Sequence, residues 1–403
     1  ILFFCPTFRE ILNVHFLKLL QRIFLKMRII DLFSGVGGLT FGFYYKLIND
    51  QFVKNENVDI VFANEYDMAA AEAFRYNFPD IKMINKDIKK LTENEVLELI
   101  GDQEIDLIVG GPPCQSYSYV GKRIYDDKAK LYNEYFRMLS IIKPRMFLFE
   151  NVKGILSMKD SNKNLVIEDI KEKFANINNE LGYNIVFDIL DAADYGIPQH
   201  RERVFIIGIR SDLKLTWKFE DLQKEGYQWT LEEAISDFPR IESGQEIIEY
   251  GDCVPVNAYQ RLLRGDCDNL TCHFVATYGD KMQTIMEHVI PGEGKEYIND
   301  LVDQGVLEER YRLTSGYKNT YGRLYADQPC TTITNNMSTP SGLRCIHYEQ
   351  NRALTPREGA RIQSFPDWFG FYGNRREIKT QIGNAVPPLL AIKFADLLEK
   401  ILD

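Results

Sequence analysis

The chain has 403 residues, of which 45% are hydrophobic and 26% charged, with a formal net charge of -10, the balance of a folded globular protein with room for two domains. The negative charge excludes a general electrostatic pull toward nucleic acid or acidic membrane, so a polyanionic substrate would have to meet local basic patches. Seven scattered cysteines, Cys5, Cys114, Cys253, Cys267, Cys272, Cys330 and Cys345, exclude the dense, even-numbered disulfide framework of a small secreted domain and imply reduced thiols in a cytosol.

Residues 1–26 are apolar but broken by Arg9, Glu10, Lys18 and Arg22, a pattern that fits neither a secretory signal nor a membrane span. Because Met27 directly precedes a strand pattern, the expectation is a native start at Met27, with 1–26 a non-native or extension segment; an amphipathic docking helix is the alternative. From residue 27 to 212, short apolar runs alternate with longer amphipathic ones. The expected strands are "MRIIDLF", "VDIVFANE", "IKMINKD", "EIDLIVGG", "MFLFENV", "YNIVFDILD" and "VFIIGIR"; "DMAAAEAFRYNF" and "KLYNEYFRMLSII" carry helical periodicity. This is the pattern of a doubly wound α/β sheet, in which ligands bind beyond the C-terminal ends of the strands. Residues 213–375 lose that regularity and read as a second, smaller, loop-rich domain. Residues 376–403 end in a strong amphipathic helix, read as a segment returning to the first domain.

Several strand ends carry chemistry. "DLFSGVGGLTFGF" opens a helix after the first strand, so Gly35, Gly37 and Gly38 allow backbone to approach a ligand near a positive helix end. It lacks the third glycine of a dinucleotide fingerprint, since residue 40 is Thr. Glu65 and Asp87 close the second and third strands, where carboxylates can accept ribose hydroxyls and an adenine amino group; either could instead be an ordinary helix N-cap. Together with the glycine loop they describe a nucleoside clamp, suited to adenosine with a sulfonium tail.

At the fourth strand end, Pro112 and Pro113 fix two φ angles and hold Cys114 stiffly, although a free Cys is more usually a small buried hydrophobe. Glu150 closes the apolar run "FLFENV", where burial would raise its pKa and keep a proton available; pairing with an Arg is the alternative. Gln199, Arg201 and Arg203 in "YGIPQHRERVF" stand at alternate positions and are expected on one face, fit to hold a phosphate or a base carbonyl. A solvated edge strand is the alternative. Cys267, Cys272 and His273 cluster, but four zinc ligands cannot be assembled from them, and no metal is expected.

In this order, "DLFSGVGGLTFGF", "NEYDMAAAEAF", "KDI", "GGPPCQSYS", "ENV", "YGIPQHRERVFIIG", "LTPREGARIQSFPDW" and "QIGNAVPPLLA" resemble the cytosine-5 DNA methyltransferases, especially the bacterial modification enzymes, over most of residues 27–403. Tyr117 stands where the family more often has Phe, and residues 213–325 match least, as a family target-recognition region would. The resemblance implies a Rossmann-like methyltransferase sheet plus a target-recognition domain, S-adenosylmethionine as cofactor, and methylation of carbon 5 of a flipped cytosine in a short duplex site. It implies Cys114 as the nucleophile at carbon 6, Glu150 at ring N3 and the amino group, Arg203 at O2, and Arg201 and Gln199 in support.

Carried over by position, the cofactor set is Phe33, Ser34, Gly35, Gly37, Gly38, Glu65, Tyr66, Asp87, Ile88, Pro112, Gln115, Asn384 and Ala385. The loop from Tyr117 to Lys130 would close over the DNA. Phosphate contacts would come from 121–123, 260–264 and 374–376, making DNA binding salt-sensitive. The resemblance further implies a monomer in the bacterial cytoplasm, with no membrane partner, serving a restriction-modification system whose endonuclease is a functional and not a physical partner. The alternatives are the transfer-RNA branch of the family, a catalytically silent DNA-binding homologue, and a nicotinamide-dependent oxidoreductase.

Overall fold

The computed structural model describes residues 26–113, 131–160, 162–177 and 182–402; Cys114, Gln115 and the loop through residue 130 lie outside the described residues. In chain order the strands are β1 (Met27–Leu32), β2 (Tyr45–Ile48), β3 (Gln51–Lys54), β4 (Val58–Glu65), β5 (Met83–Asn85), β6 (Leu107–Gly110), β7 (Met146–Val152), β8 (Tyr183–Asp191), β9 (Gln199–His200), β10 (Glu202–Arg210), β11 (Glu246–Glu249), β12 (Asn269–Phe274) and β13 (Cys330–Thr331). The seven apolar runs all enter one sheet, ordered β5-β4-β1-β6-β7-β10-β8. Contacts from β5 through β7 are parallel, while β10 runs antiparallel to both neighbours. The order reverses at β1, so the crevice beyond the ends of β1 and β6 is the expected ligand site.

The strands alternate between two cores because successive side chains point to opposite faces. Ile29, Leu107, Leu148 and Ile207 enter one, and Ile30, Ile108, Phe149 and Ile206 the other. The first core is the larger. It runs without a break from the sheet through Leu231, Phe238, Tyr259, Leu354 and Phe365 to the C-terminal helix Pro388–Leu402, so much of the loop-rich region packs directly on the sheet. That helix lies against the helix Gly38–Tyr44. A Cβ on Gly42 would sit 2.1 Å from the Ala391 carbonyl carbon, so only glycine permits this approach. A separate small core gathers Ile285, Met286, Val289, Ile298, Val302, Leu307, Tyr311 and Leu313 around Ile346.

The β2–β3 hairpin was not anticipated. Asn49 and Asp50 turn it at φ 51° and 57°, the paired positive values of a tight type I′ turn. Among the described residues, no helix is long and apolar enough to cross a membrane.

Candidate active site

The loop after β1 passes through three left-handed residues, Phe33 (φ 58°), Gly35 (φ 56°) and Gly37 (φ 93°), and Gly37 caps the helix that Gly38 begins. Ser34 is buried, with its backbone N–H on the Asn64 carbonyl at 3.1 Å. Glu65, ending β4, accepts the N–H of Gly35 at 2.8 Å and of Asp67 at 2.7 Å. Burial raises its pKa, while those two N–H groups oppose the shift. Each oxygen retains an accepting lone pair. Asp87 takes the N-cap role as well: Oδ1 accepts the Lys89 N–H at 3.0 Å, leaving Oδ2. Ile88 is buried behind it, and Tyr66 is exposed. The acceptors beside an open glycine loop fit the hydroxyls and amino group of a nucleoside.

The C-terminal end closes the same crevice. Asn384, exposed at the end of the helix Arg375–Asn384, is followed by extended Ala385, and a Cβ on Gly38 would lie 2.3 Å from the Val386 carbonyl oxygen. Residues 384–386 therefore rest on the start of the glycine-loop helix.

The second half of the site is built from β6, β7 and β10. Phe205 pairs with Glu150, and Arg203 lies two residues away on the same face, so the two charged side chains meet: Arg203 Nε is 3.3 Å from Glu150 Oε1. The Glu–Arg pairing ranked second in the sequence reading is thus what forms, and the partner is itself a site residue. Burial raises the Glu150 pKa, offset by Arg203 and then Arg201. Glu150 Oε2 lies where a Cβ on Gly111 would come within 2.8 Å, and Asn151 Nδ2 donates to the Pro112 carbonyl at 3.3 Å. The end of β7 therefore grips the backbone of the Pro-Pro turn whose next residue is Cys114.

Gln199 and Arg201 are buried while His200 and Glu202 are exposed, the alternation of side chains on one face, and Arg201 lies near enough to Glu150 to lower its pKa. Both are buried in backbone contacts. Gln199 Oε1 accepts the Ile333 N–H at 3.0 Å and its Nε2 reaches Gln363 Oε1. Arg201 donates to the carbonyls of Ile333 (3.0 Å), Gly383 (3.2 Å) and Ala385 (2.9 Å). These contacts tie both residues to the backbone at Ile333 and tie Arg201 to that of Gly383 and Ala385.

Arg264 is half-buried: it stacks on Tyr250, 3.6 Å from the ring centroid, and donates to the Cys253 carbonyl. Arg375 lies over Phe274 at 4.4 Å yet stays exposed, so Arg261, Arg375 and Arg376 are the exposed cations of the patches 260–264 and 374–376; residues 121–123 lie outside the described residues. His273 has both ring nitrogens in hydrogen bonds, to Thr355 Oγ1 and the Pro239 carbonyl at 3.1 Å each.

Comparison with known proteins identifies the family. The sequence profile of the C-5 cytosine-specific DNA methylases matches residues 27–400. The chain belongs to that family. Relatives of this methylase include the Type II methyltransferases M.DdeI of Desulfomicrobium norvegicum, 34% identical over 92% of this chain and 88% of the relative, and M1.HphI of Haemophilus parahaemolyticus, 31% identical over 92% and 86%. Among solved structures, an E. coli DNA modification methyltransferase encoded within a prophage superposes with a TM-score of 0.69 at 26% identity, covering 94% of this chain and 99% of the other. An Entamoeba histolytica methyltransferase at 17% identity and a TM-score of 0.56, over 94% and 99%, shares the fold.

The methylase also uses residues the motifs did not single out. Asp31 in β1 is fully buried, accepts the Thr40 hydroxyl at 2.6 Å, and is pushed up to about 7 by burial. Its Oδ1 has no hydrogen-bond partner among the described residues. It ties β1 to the glycine-loop helix, and an acid inside an apolar strand was the available signal. Asn151 and Gly111 were quoted within motifs but act through a carbonyl contact and an absent side chain, which a residue pattern does not reveal.

Proposed function

We propose that this cytosine-5 DNA methylase works through Cys114, Glu150 and Arg203, and that it is the modification half of a restriction-modification system, as the names of its relatives suggest. The observation that carries the reading is the Glu150–Arg203 pair at 3.3 Å, set against the backbone that leads into Cys114. Carbon 5 of cytosine is a poor nucleophile. Addition of the Cys114 thiolate to carbon 6 breaks the ring's 5,6 double bond and leaves an electron-rich carbon 5. Glu150, held toward its protonated form by burial, donates to ring N3 as charge builds, and Arg203 donates to O2. Once carbon 5 has used that electron pair to bond the methyl group that the sulfonium cofactor would supply, a base takes the carbon-5 proton, the 5,6 double bond re-forms and the thiolate leaves. For this the cytosine must leave the stack, at a cost of a few kcal/mol.

Phe33, Ser34, Gly35, Gly37, Gly38, Glu65, Tyr66, Asp87, Ile88, Pro112, Gln115, Asn384 and Ala385 are the residues proposed to hold S-adenosylmethionine. Glu65 would take the ribose hydroxyls, Asp87 the adenine amino group and Phe33 the ring face. When bound, that cofactor supplies an electrophilic methyl group on a sulfonium. Residues 213–375 are proposed to carry target recognition, with the small core around Ile285 and Ile298 as its most self-contained part.

The test is Cys114→Ala. Labelled-methyl incorporation into duplex DNA should be abolished while cofactor affinity stays within about twofold, since the thiolate alone supplies the nucleophile. Methylation that survives in this variant would overturn the mechanism.

A further inference from the structure

One buried cation lies where the small core meets the sheet-based body. Arg323 is only 5% exposed, and among the described residues no carboxylate forms an ion pair with it. All five of its N–H donors are nonetheless used. Nε donates to the Val289 carbonyl at 2.7 Å, and one terminal nitrogen donates to the His347 and Gln350 carbonyls at 2.7 and 3.1 Å. The other terminal nitrogen donates to the Met286 carbonyl and to Asn351 Oδ1 at 2.7 Å.

Those acceptors belong to two bodies. Met286 and Val289 carry carbonyls at the end of the helix Asp280–His288, the first element of the small core, where unpaired carbonyls and the helix dipole favour a cation. His347, Gln350 and Asn351 form the turn that leads into Arg352, which pairs with buried Glu358 at 2.6 Å. His347 brings no charge, since burial pulls its pKa down to about 3. The Arg323 backbone is held on the small-core side: its N–H donates to the Glu293 carbonyl at 3.1 Å and its carbonyl accepts from Gly292 at 3.0 Å. A guanidinium is a rigid planar fork, so one that bonds two bodies with every donor fixes the angle between them.

We propose that Arg323 is the positioning residue that sets how the unit built on the small core is presented to DNA, and is therefore a determinant of site recognition and not of methyl transfer itself. This rests on the reading of residues 213–375 as the recognition region. A buried charge held by carbonyls costs stability that an apolar side chain would not, and a fixed inter-body angle is what such a fork supplies.

The test uses the full chain, with its site mapped by methylome sequencing of a heterologous host. The wild type, Arg323→Lys and Asn351→Ala are compared on a duplex with that site and on one with a single base pair changed. Lysine keeps the charge but lacks the planar fork. With Arg323→Lys, KM for the mapped site should rise about tenfold with kcat nearly constant, and discrimination between the duplexes should fall about tenfold, the size of one base-pair mismatch. Asn351→Ala removes one of the five bonds and should shift both quantities the same way by a smaller factor, which keeps the proposal testable should the lysine variant not fold. Unchanged KM and discrimination in the folded variants would overturn it, as would equal losses in kcat and cofactor affinity. A wild type with no site preference would instead sink the recognition reading itself.

Discussion

Gly111→Ala separates the chemistry of this methylase from its stability. The added methyl would sit 2.8 Å from Glu150 Oε2, against an ordinary contact of 3.4 Å or more, so the carboxylate must retreat by roughly half an ångström. It can do so because the clash is with the free end of a side chain. Gly111 is not among the residues with positive φ, so alanine accepts the backbone, and the smaller entropy of the unfolded chain stabilises by about 0.4–1 kcal/mol. A reacting group displaced by about 1 Å costs about a hundredfold in rate, so half that displacement should lower single-turnover methyl transfer about tenfold. The assay is labelled-methyl transfer with duplex and cofactor saturating, alongside thermal melting. A rate within twofold of wild type, with melting unchanged, would refute the claim that Glu150 acts from this position.

Gly42→Ala should do the reverse. Its methyl would meet the Ala391 backbone at 2.1 Å, with no side-chain end to give way, so overpacking should cost about 1–3 kcal/mol, read as a lower urea midpoint; an unchanged midpoint would show that the terminal helix does not pack there. Asp31 should make stability depend on pH. Its folded pKa of about 7 lies above the model-peptide value of 3.8, so the protonated folded form is favoured, and the contribution is complete below pH 3.8 and lost as pH rises through 7. That shift is worth roughly 4 kcal/mol. Urea unfolding at pH 5 and pH 8 should show a larger fall for wild type than for Asp31→Asn; equal falls would mean that Asp31 does not titrate in this window.

Much of the site was legible because it sits at strand ends. An apolar run that stops on Glu65, Glu150 or a Pro-Pro-Cys turn announces a ligand-facing group through local chemistry alone, and all seven runs became strands of one sheet. The Glu150–Arg203 contact was different. It requires β10 to run antiparallel beside β7, and nothing in a strand's own residues states its direction. The partners of Gln199 and Arg201 were hidden for a related reason: a spacing of two places both on one side, but their acceptors and donors at Ile333, Gly383 and Ala385 lie 132 to 184 positions away.

By itself, then, the order of residues determined the alternation of strands and helices, the glycine, acidic and Pro-Pro ends of β1, β4, β6 and β7, and the family, since these depend on neighbours in the chain. Only the tertiary structure decided which charges are spent inside the protein. Arg323 and Arg201 read in sequence like any other arginine, and it is packing against residues tens or hundreds of positions away that turns them from surface cations into buried ties. Desolvation is a property of three-dimensional surroundings, and a one-dimensional pattern carries no record of it.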